Sequence, residues 1–175
     1  SQLKDGDIIN IDITVIKDGF HGDTSKMFTI GEVSAEDNRL CRLAQEALYL
    51  SIKKVKPGAT FGEIGATIQK FIKKSGRYSI VKDYCGHGIG EVFHELPQVI
   101  HYDDGKISQS PILEPGMTFT IEPMVNLGGY EVITSRIDGW TVTTKDRSLS
   151  AQTEHTILVT ESGYEILTLR EEELN

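Results

Sequence analysis

The 175-residue sequence has only two cysteines, Cys41 and Cys85, and neither lies in a Cys-x-x-Cys or other zinc-type spacing. A disulfide scaffold is therefore excluded, and reduced thiols of a cytosolic chain are expected. No apolar run reaches the ~18 residues of a membrane-spanning helix. No secretory leader pattern opens the chain, so the expected location is cytoplasmic. Positive charge is in deficit: 18 Lys and Arg against 26 Asp and Glu leave a net charge of −8. A general affinity for nucleic acid is not implied by that balance. Repeats of fixed period and low-complexity segments are absent. An initiator methionine is absent too, which is compatible with a piece of a longer chain.

The residues present are 38% hydrophobic and 25% charged, an ordinary globular mix. The length suits one domain with a substantial core. Residues 7–16 and 21–30 read as two strands around Lys17-Asp18-Gly19-Phe20, where Asp-Gly signals a hairpin turn. Ser34 reads as the N-cap of a helix whose apolar face is Leu40, Leu43, Ala44, Ala47, Leu48 and Ile52, with Pro57-Gly58 as its stop. Thr60-Phe61-Gly62-Glu63 is a capping box for a second helix carrying Ile64, Ile68, Phe71 and Ile72, ended by Ser75-Gly76. Residues 85–97 read as a loop rich in glycine and histidine, and 102–111 as an exposed loop. Strand-like runs follow at 117–125, 130–136, 139–144, 153–160 and 164–169. Strands, then helices, then strands predict an α+β fold with a mostly antiparallel sheet.

Carboxylates stand at unusual places in this pattern. Aspartate is depleted in strands, yet Asp12 and Asp23 lie inside the hairpin. With Asp18-Gly19 as the central turn residues, Asp23 opposes Thr14 and shares a face with Asp12, a diagonal pair. Two like charges this close call for a cation between them or for water around them. Glu122 and Glu154 each lie in an apolar run, where an unpaired carboxylate is costly. A salt bridge to an arginine or a bound metal would resolve the cost. His87 and His94 lie in Cys85-Gly86-His87-Gly88-Ile89-Gly90-Glu91-Val92-Phe93-His94-Glu95-Leu96-Pro97. Such a loop can supply a ligand and an acid–base group, or two surface histidines. Four carboxylates and one imidazole together suit a two-metal site holding Mn, Fe, Co or Zn.

The stretches KDGDIINIDITVIKDGFHGDTSKMF, VKPGATFGEIGATIQKF, YCGHGIGEVFHELPQVIHYD, EPGMTFTIEPMVN and DGWTVTTKDRSLSAQTEHTILVT, in this order and spacing, resemble the type I methionine aminopeptidases of the pita-bread metallopeptidase superfamily. The resemblance runs from about Leu3 to about Arg170. It implies a pita-bread fold and removal of initiator methionine from nascent proteins and peptides, with two divalent ions as cofactors, cobalt and manganese among the candidates. It implies Asp12, Asp23, His87, Glu122 and Glu154 as metal ligands, with Asp23 and Glu154 bridging both ions. Glu122 resembles the proton shuttle, with a water activated by the ions as nucleophile. His94 resembles the histidine that hydrogen-bonds the substrate carbonyl. Phe93 and Trp140 match pocket positions for the methionine side chain, with core packing as the alternative for both.

The implied partner is the N-terminus of a peptide or nascent chain, with the ribosome as a candidate contact. No membrane and no specific nucleic acid is implied. Residues 1–175 are then a single metallopeptidase catalytic domain without the first part of the family domain, including one substrate-binding histidine. Two alternatives remain: a related Xaa-Pro aminopeptidase or prolidase, and a metal-binding but catalytically impaired chain of the same fold.

Overall fold

The computed structural model describes residues 2–174. A hairpin of β1 (Ile8–Lys17) and β2 (Phe20–Thr29) precedes two helices, α1 (Ala35–Ile52) and α2 (Phe61–Lys74). Ten short strands follow: β3 (Ser79–Ile80), β4 (Gly86–Gly88), β5 (Glu95–Val99), β6 (Thr118–Ile121), β7 (Met124–Asn126), β8 (Val132–Thr134), β9 (Val142–Thr144), β10 (Ser150–Gln152), β11 (His155–Val159) and β12 (Tyr164–Ile166). All strand pairs are antiparallel. The fold is α+β, as the order of elements predicts.

Both helices start where the capping residues place them. The Ser34 hydroxyl accepts from the Asp37 N–H, and Thr60 and Glu63 satisfy each other's backbone amides. Free amides at a helix start need such partners. The first helix ends at Ile52, earlier than Pro57-Gly58, and two tight turns then bury Val55. The apolar faces of α1 and α2 pack on each other and on the sheets. Leu40, Leu48, Phe61, Ile68, Phe119, Ile121 and Ile157 are fully buried in one cluster. Phe61 meets Phe119 edge-on at 4.9 Å between ring centroids. Burial of each such side chain stabilises the fold by roughly 1.5–3 kcal/mol.

The strands form a five-stranded sheet in the order β12-β11-β6-β4-β5, a three-stranded sheet β10-β7-β3, and the two hairpins β1-β2 and β8-β9. One expected strand is broken, and another starts late. Run 117–125 splits at Glu122-Pro123 into β6 and β7, which belong to different sheets. Pro123 has no N–H to donate to a ladder, so a break there is natural. Run 153–160 begins only at His155, and Thr153-Glu154 separates it from β10. The chain thus passes between the two larger sheets three times: through residues 81–85, and then at Glu122 and at Glu154. The expected loop at 85–97 also holds strands. His87 is the middle residue of β4, between β5 and β6. No described helix is long and apolar enough to cross a membrane.

Candidate metal centre

The hairpin turn has Asp18 and Gly19 at φ 52° and 87°, the doubly left-handed geometry of a type I′ turn. It sets the register Thr14 opposite Asp23 and Asp12 opposite Ser25. Asp12 and Asp23 both line one open cleft of about 1060 Å³. A bridge between Ser25 and Glu154 helps dock the hairpin on the β10–β11 crossing. There the Glu154 N–H donates to the Ser25 carbonyl at 3.0 Å. The Asp23 N–H donates to the Thr156 hydroxyl at 3.1 Å, and that hydroxyl donates to the Asp23 carbonyl at 2.8 Å.

His87 is held from both sides. Its neighbours Gly86 and Gly88 are in contact with the backbone of Thr120 and Leu96, leaving no room for a Cβ at either position. Its Nδ1 lies 2.9 Å from the Gly88 carbonyl. A proton on Nδ1 leaves the Nε2 lone pair facing the cleft, 3.8 Å from Asp23 Oδ2 and 3.7 Å from Glu122 Oε1. Glu122 is clamped: the Thr120 hydroxyl donates to one oxygen at 2.8 Å and the Gln152 amide to the other at 3.1 Å. Its own N–H donates to buried His101 Nε2 at 3.2 Å. Glu154 is 1% exposed, and its Oε1 has no hydrogen-bond partner.

One ligand atom each from Asp23, His87 and Glu154 lie within 4.8 Å of one another. Glu122 joins this group through His87. Asp12 stands at the rim of the same cleft, on a more exposed strand position. Burial pushes the Glu154 carboxyl up to about 10 and Glu122 up to about 8, and the neighbouring carboxylates add to both shifts. Asp12 is raised by partial burial and then by Asp23, while burial lowers His87. A dry group of carboxylates that repel one another, one with an unpartnered oxygen, beside an imidazole lone pair is a fitting donor set for divalent cations.

The metal-free protein therefore has a definite pH dependence. Folding raises the pKa of Glu122 and Glu154 above the ordinary 4.5, so the folded state binds more protons than the unfolded one. The associated stability is present below about 4.5 and is lost as pH rises through about 8. With chelator present, the melting temperature should fall by about 5 °C between pH 7 and 8, above the range in which buried His87, His101 and His155 contribute with the opposite sign. Saturating Mn²⁺ should flatten that slope. Scanning fluorimetry checks this, and a flat chelated profile contradicts it.

The exposed His94 ring stands 4.3 Å from the His87 ring and 3.8 Å from Phe93, centroid to centroid. Half-buried Phe93 lies in the cleft wall, edge-on to His87. Trp140 sits near the tip of the β8-β9 hairpin, 86% exposed, so it is not a core residue. It borders the cleft and an adjoining pocket of about 760 Å³ lined by Tyr84, Met124, Val132 and Val142. Cys85 is in the cleft wall, its thiol pushed up by burial.

His21, beside the hairpin turn, also reaches the cleft wall. It stacks on Phe93 and bonds the Gly90 carbonyl through its backbone N–H at 2.8 Å, with Nδ1 at 3.0 Å from the same oxygen. Sequence reasoning missed Thr120, Gln152 and Arg170. A signal for Thr120 was available, since it stands two residues before the glutamate it bonds, whereas Gln152 reaches Glu122 from another sheet.

The profile of metallopeptidase family M24 matches residues 1–161. The chain belongs to that family. It is 63% identical over 171 residues to methionine aminopeptidase of Escherichia coli K12, covering 98% of this chain and 63% of that protein. The methionine aminopeptidase structure from Rickettsia prowazekii superposes with a TM-score of 0.92 at 51% identity, over 95% of this chain and 66% of that one. The Pyrococcus furiosus prolidase structure gives 0.74 at 24% identity, over 98% of this chain and 44% of that one, a likeness of fold alone. The M24 chain thus has the pita-bread fold of these structures and spans a little under two thirds of the length of the curated relatives it matches. Membership in this metallopeptidase family accords with a divalent-cation centre at the carboxylate group.

Proposed function

We propose that the M24 chain carries the chemistry of an aminopeptidase that removes initiator methionine from nascent proteins and peptides. The observation that supports this most is the meeting of Asp23, His87 and Glu154, with Glu122 beside them and Asp12 at the rim, in a chain so similar to methionine aminopeptidases. In this reading Asp12, Asp23, His87, Glu122 and Glu154 would hold two divalent ions (Mn, Fe, Co or Zn). When bound, the ions supply Lewis acidity and lower the pKa of water toward neutrality.

The remaining work falls to side chains of this chain. Glu122, with both oxygens oriented by Thr120 and Gln152, takes up a proton and passes it to the leaving amine. His94, at the open side of His87, donates a hydrogen bond to the carbonyl oxygen as negative charge grows there. Phe93 and Trp140 offer aromatic surface to a thioether side chain. The substrate is an exposed peptide N-terminus, met in the cytoplasm as a chain leaves the ribosome.

The test is release of methionine from Met-Ala-Ser by the chain loaded with each metal in turn. Methionine release is expected, slower than from a version extended to the full length of its relatives. Release of Xaa from Xaa-Pro peptides without methionine release would favour the prolidase reading. Bound metal without turnover of either peptide would favour a catalytically impaired chain.

A further inference from the structure

The stretch from Thr168 to Glu173 packs against the β10–β11 crossing, and one side chain in it touches both segments that present carboxylates. Arg170 Nη2 donates to Thr24 Oγ1 at 2.7 Å, to the Ser25 carbonyl at 2.7 Å and to the Glu154 carbonyl at 3.3 Å. Its Nη1 donates to Glu173 Oε1 at 2.8 Å and lies 3.3 Å from His155 Nε2. Glu173 returns the contact by accepting the Arg170 N–H on Oε2 at 3.0 Å. Fully buried His155 is itself fixed between Tyr49 Oη at 3.0 Å and Thr168 Oγ1 at 2.9 Å.

These contacts have a clear geometry. The hairpin meets the crossing through the Ser25–Glu154 bridge, the Thr24 hydroxyl bond to the Glu154 carbonyl at 2.9 Å and the Asp23–Thr156 pair. Arg170 spans that bridge and binds a carbonyl on each side of it. Ser25 is two residues from Asp23 in β2, and Glu154 is the other carboxylate of the tightest group. Among its described hydrogen bonds, Arg170 makes none to the Asp23 or Glu154 carboxylate. Its direct effect is on the backbone that carries them. A rigid planar fork can serve acceptors on two strands at once, whereas an ammonium is a compact point charge.

We propose that Arg170 is a positioning residue that fixes the separation of Asp23 and Glu154, and with it the affinity of the centre for divalent ions. The proposal rests on the metal-site reading above. Groups that orient metal ligands typically contribute 10- to 100-fold to affinity.

The experiment is calorimetric titration of the metal-free chain and its Arg170→Lys variant with Mn²⁺, alongside the visible spectrum of the Co²⁺-loaded forms. Arg170→Lys should lose 10- to 100-fold in affinity and show an altered Co²⁺ spectrum while remaining folded by circular dichroism. Ile72→Val, a core change on α2, serves as the stability control and should keep wild-type affinity. If Arg170→Lys does not fold, Glu173→Gln removes the charge that anchors the guanidinium and should weaken binding several-fold. Wild-type affinity in the folded variant, or an equal loss in Ile72→Val, overturns the role of Arg170. Absence of Mn²⁺ binding to the wild-type chain overturns the metal-site reading instead.

Discussion

Glu154→Gln should abolish tight binding of two divalent ions and lower peptide cleavage by at least about 10³-fold, yet make the metal-free protein more stable. Both effects come from the same carboxylate. Glu154 is 1% exposed, its Oε1 has no partner, and its pKa is driven up to about 10 by burial and by Glu122, Asp23 and Asp12. Near neutral pH the metal-free fold keeps this group protonated, at a free-energy cost relative to the ionised group of the unfolded chain. Glutamine has the same shape and no proton to acquire, so the variant should gain about 2 kcal/mol in the presence of chelator. With metal, the sign reverses, because a neutral amide is a poor substitute for a carboxylate as a ligand of a hard cation. Asp23→Ala should lose metal in the same way. Elemental analysis after dialysis and urea denaturation at pH 8 check the two halves. Two ions per variant chain would remove Glu154 from the centre.

Gly88→Ala should destabilise the fold by about 3 kcal/mol and weaken metal binding as well. A Cβ at this position would overlap the Leu96 carbonyl oxygen, with the Leu96 carbonyl carbon at 2.9 Å and the Glu95 oxygen at 3.0 Å. All three atoms belong to the backbone of β5, so relief requires moving a strand rather than rotating a side chain. The displaced neighbour is His87, whose Nδ1 lies against the Gly88 carbonyl. Gly163→Ala is the matched control. Nothing lies within 4 Å of a Cβ there, and the change should stay within about 0.5 kcal/mol. Urea midpoints of the two variants decide the matter, and equal midpoints would contradict the packing argument.

Local signals made part of this architecture legible. The Asp18-Gly19 turn fixed the hairpin register, and register alone placed Asp12 and Asp23 on one face. The Ser34 cap and the Thr60–Glu63 box marked the helix starts, and 3.6-residue spacing marked their buried faces. What remained hidden depends on distant partners. Pro123 marks a break after Glu122 but not a change of sheet, and nothing local announces the crossing at Thr153-Glu154. His87 lies in a three-residue strand with a glycine on each side, a poor intrinsic strand former. It is strand only because β5 and β6 flank it. Arg170 contacts residues 145 and 146 positions away, and no periodicity reports such a pairing.

The sheet crossings at Glu122 and Glu154 also bear on which changes of chain length the protein tolerates. Side chains alternate faces along a strand, so one extra residue beside Glu122 or Glu154 would turn the carboxylate to the opposite side. It would also shift the register of the strand that follows. Substitution at these points can be graded, but insertion or deletion there is all-or-none. Whereas 107–111 is tied to the start of α2 by the Ser110 hydroxyl and the Pro111 carbonyl, the exposed stretches at 103–106 and 136–140 carry no such phase. Length variation among natural relatives, and any engineered insertion, belongs in those stretches and not along the seam between the sheets.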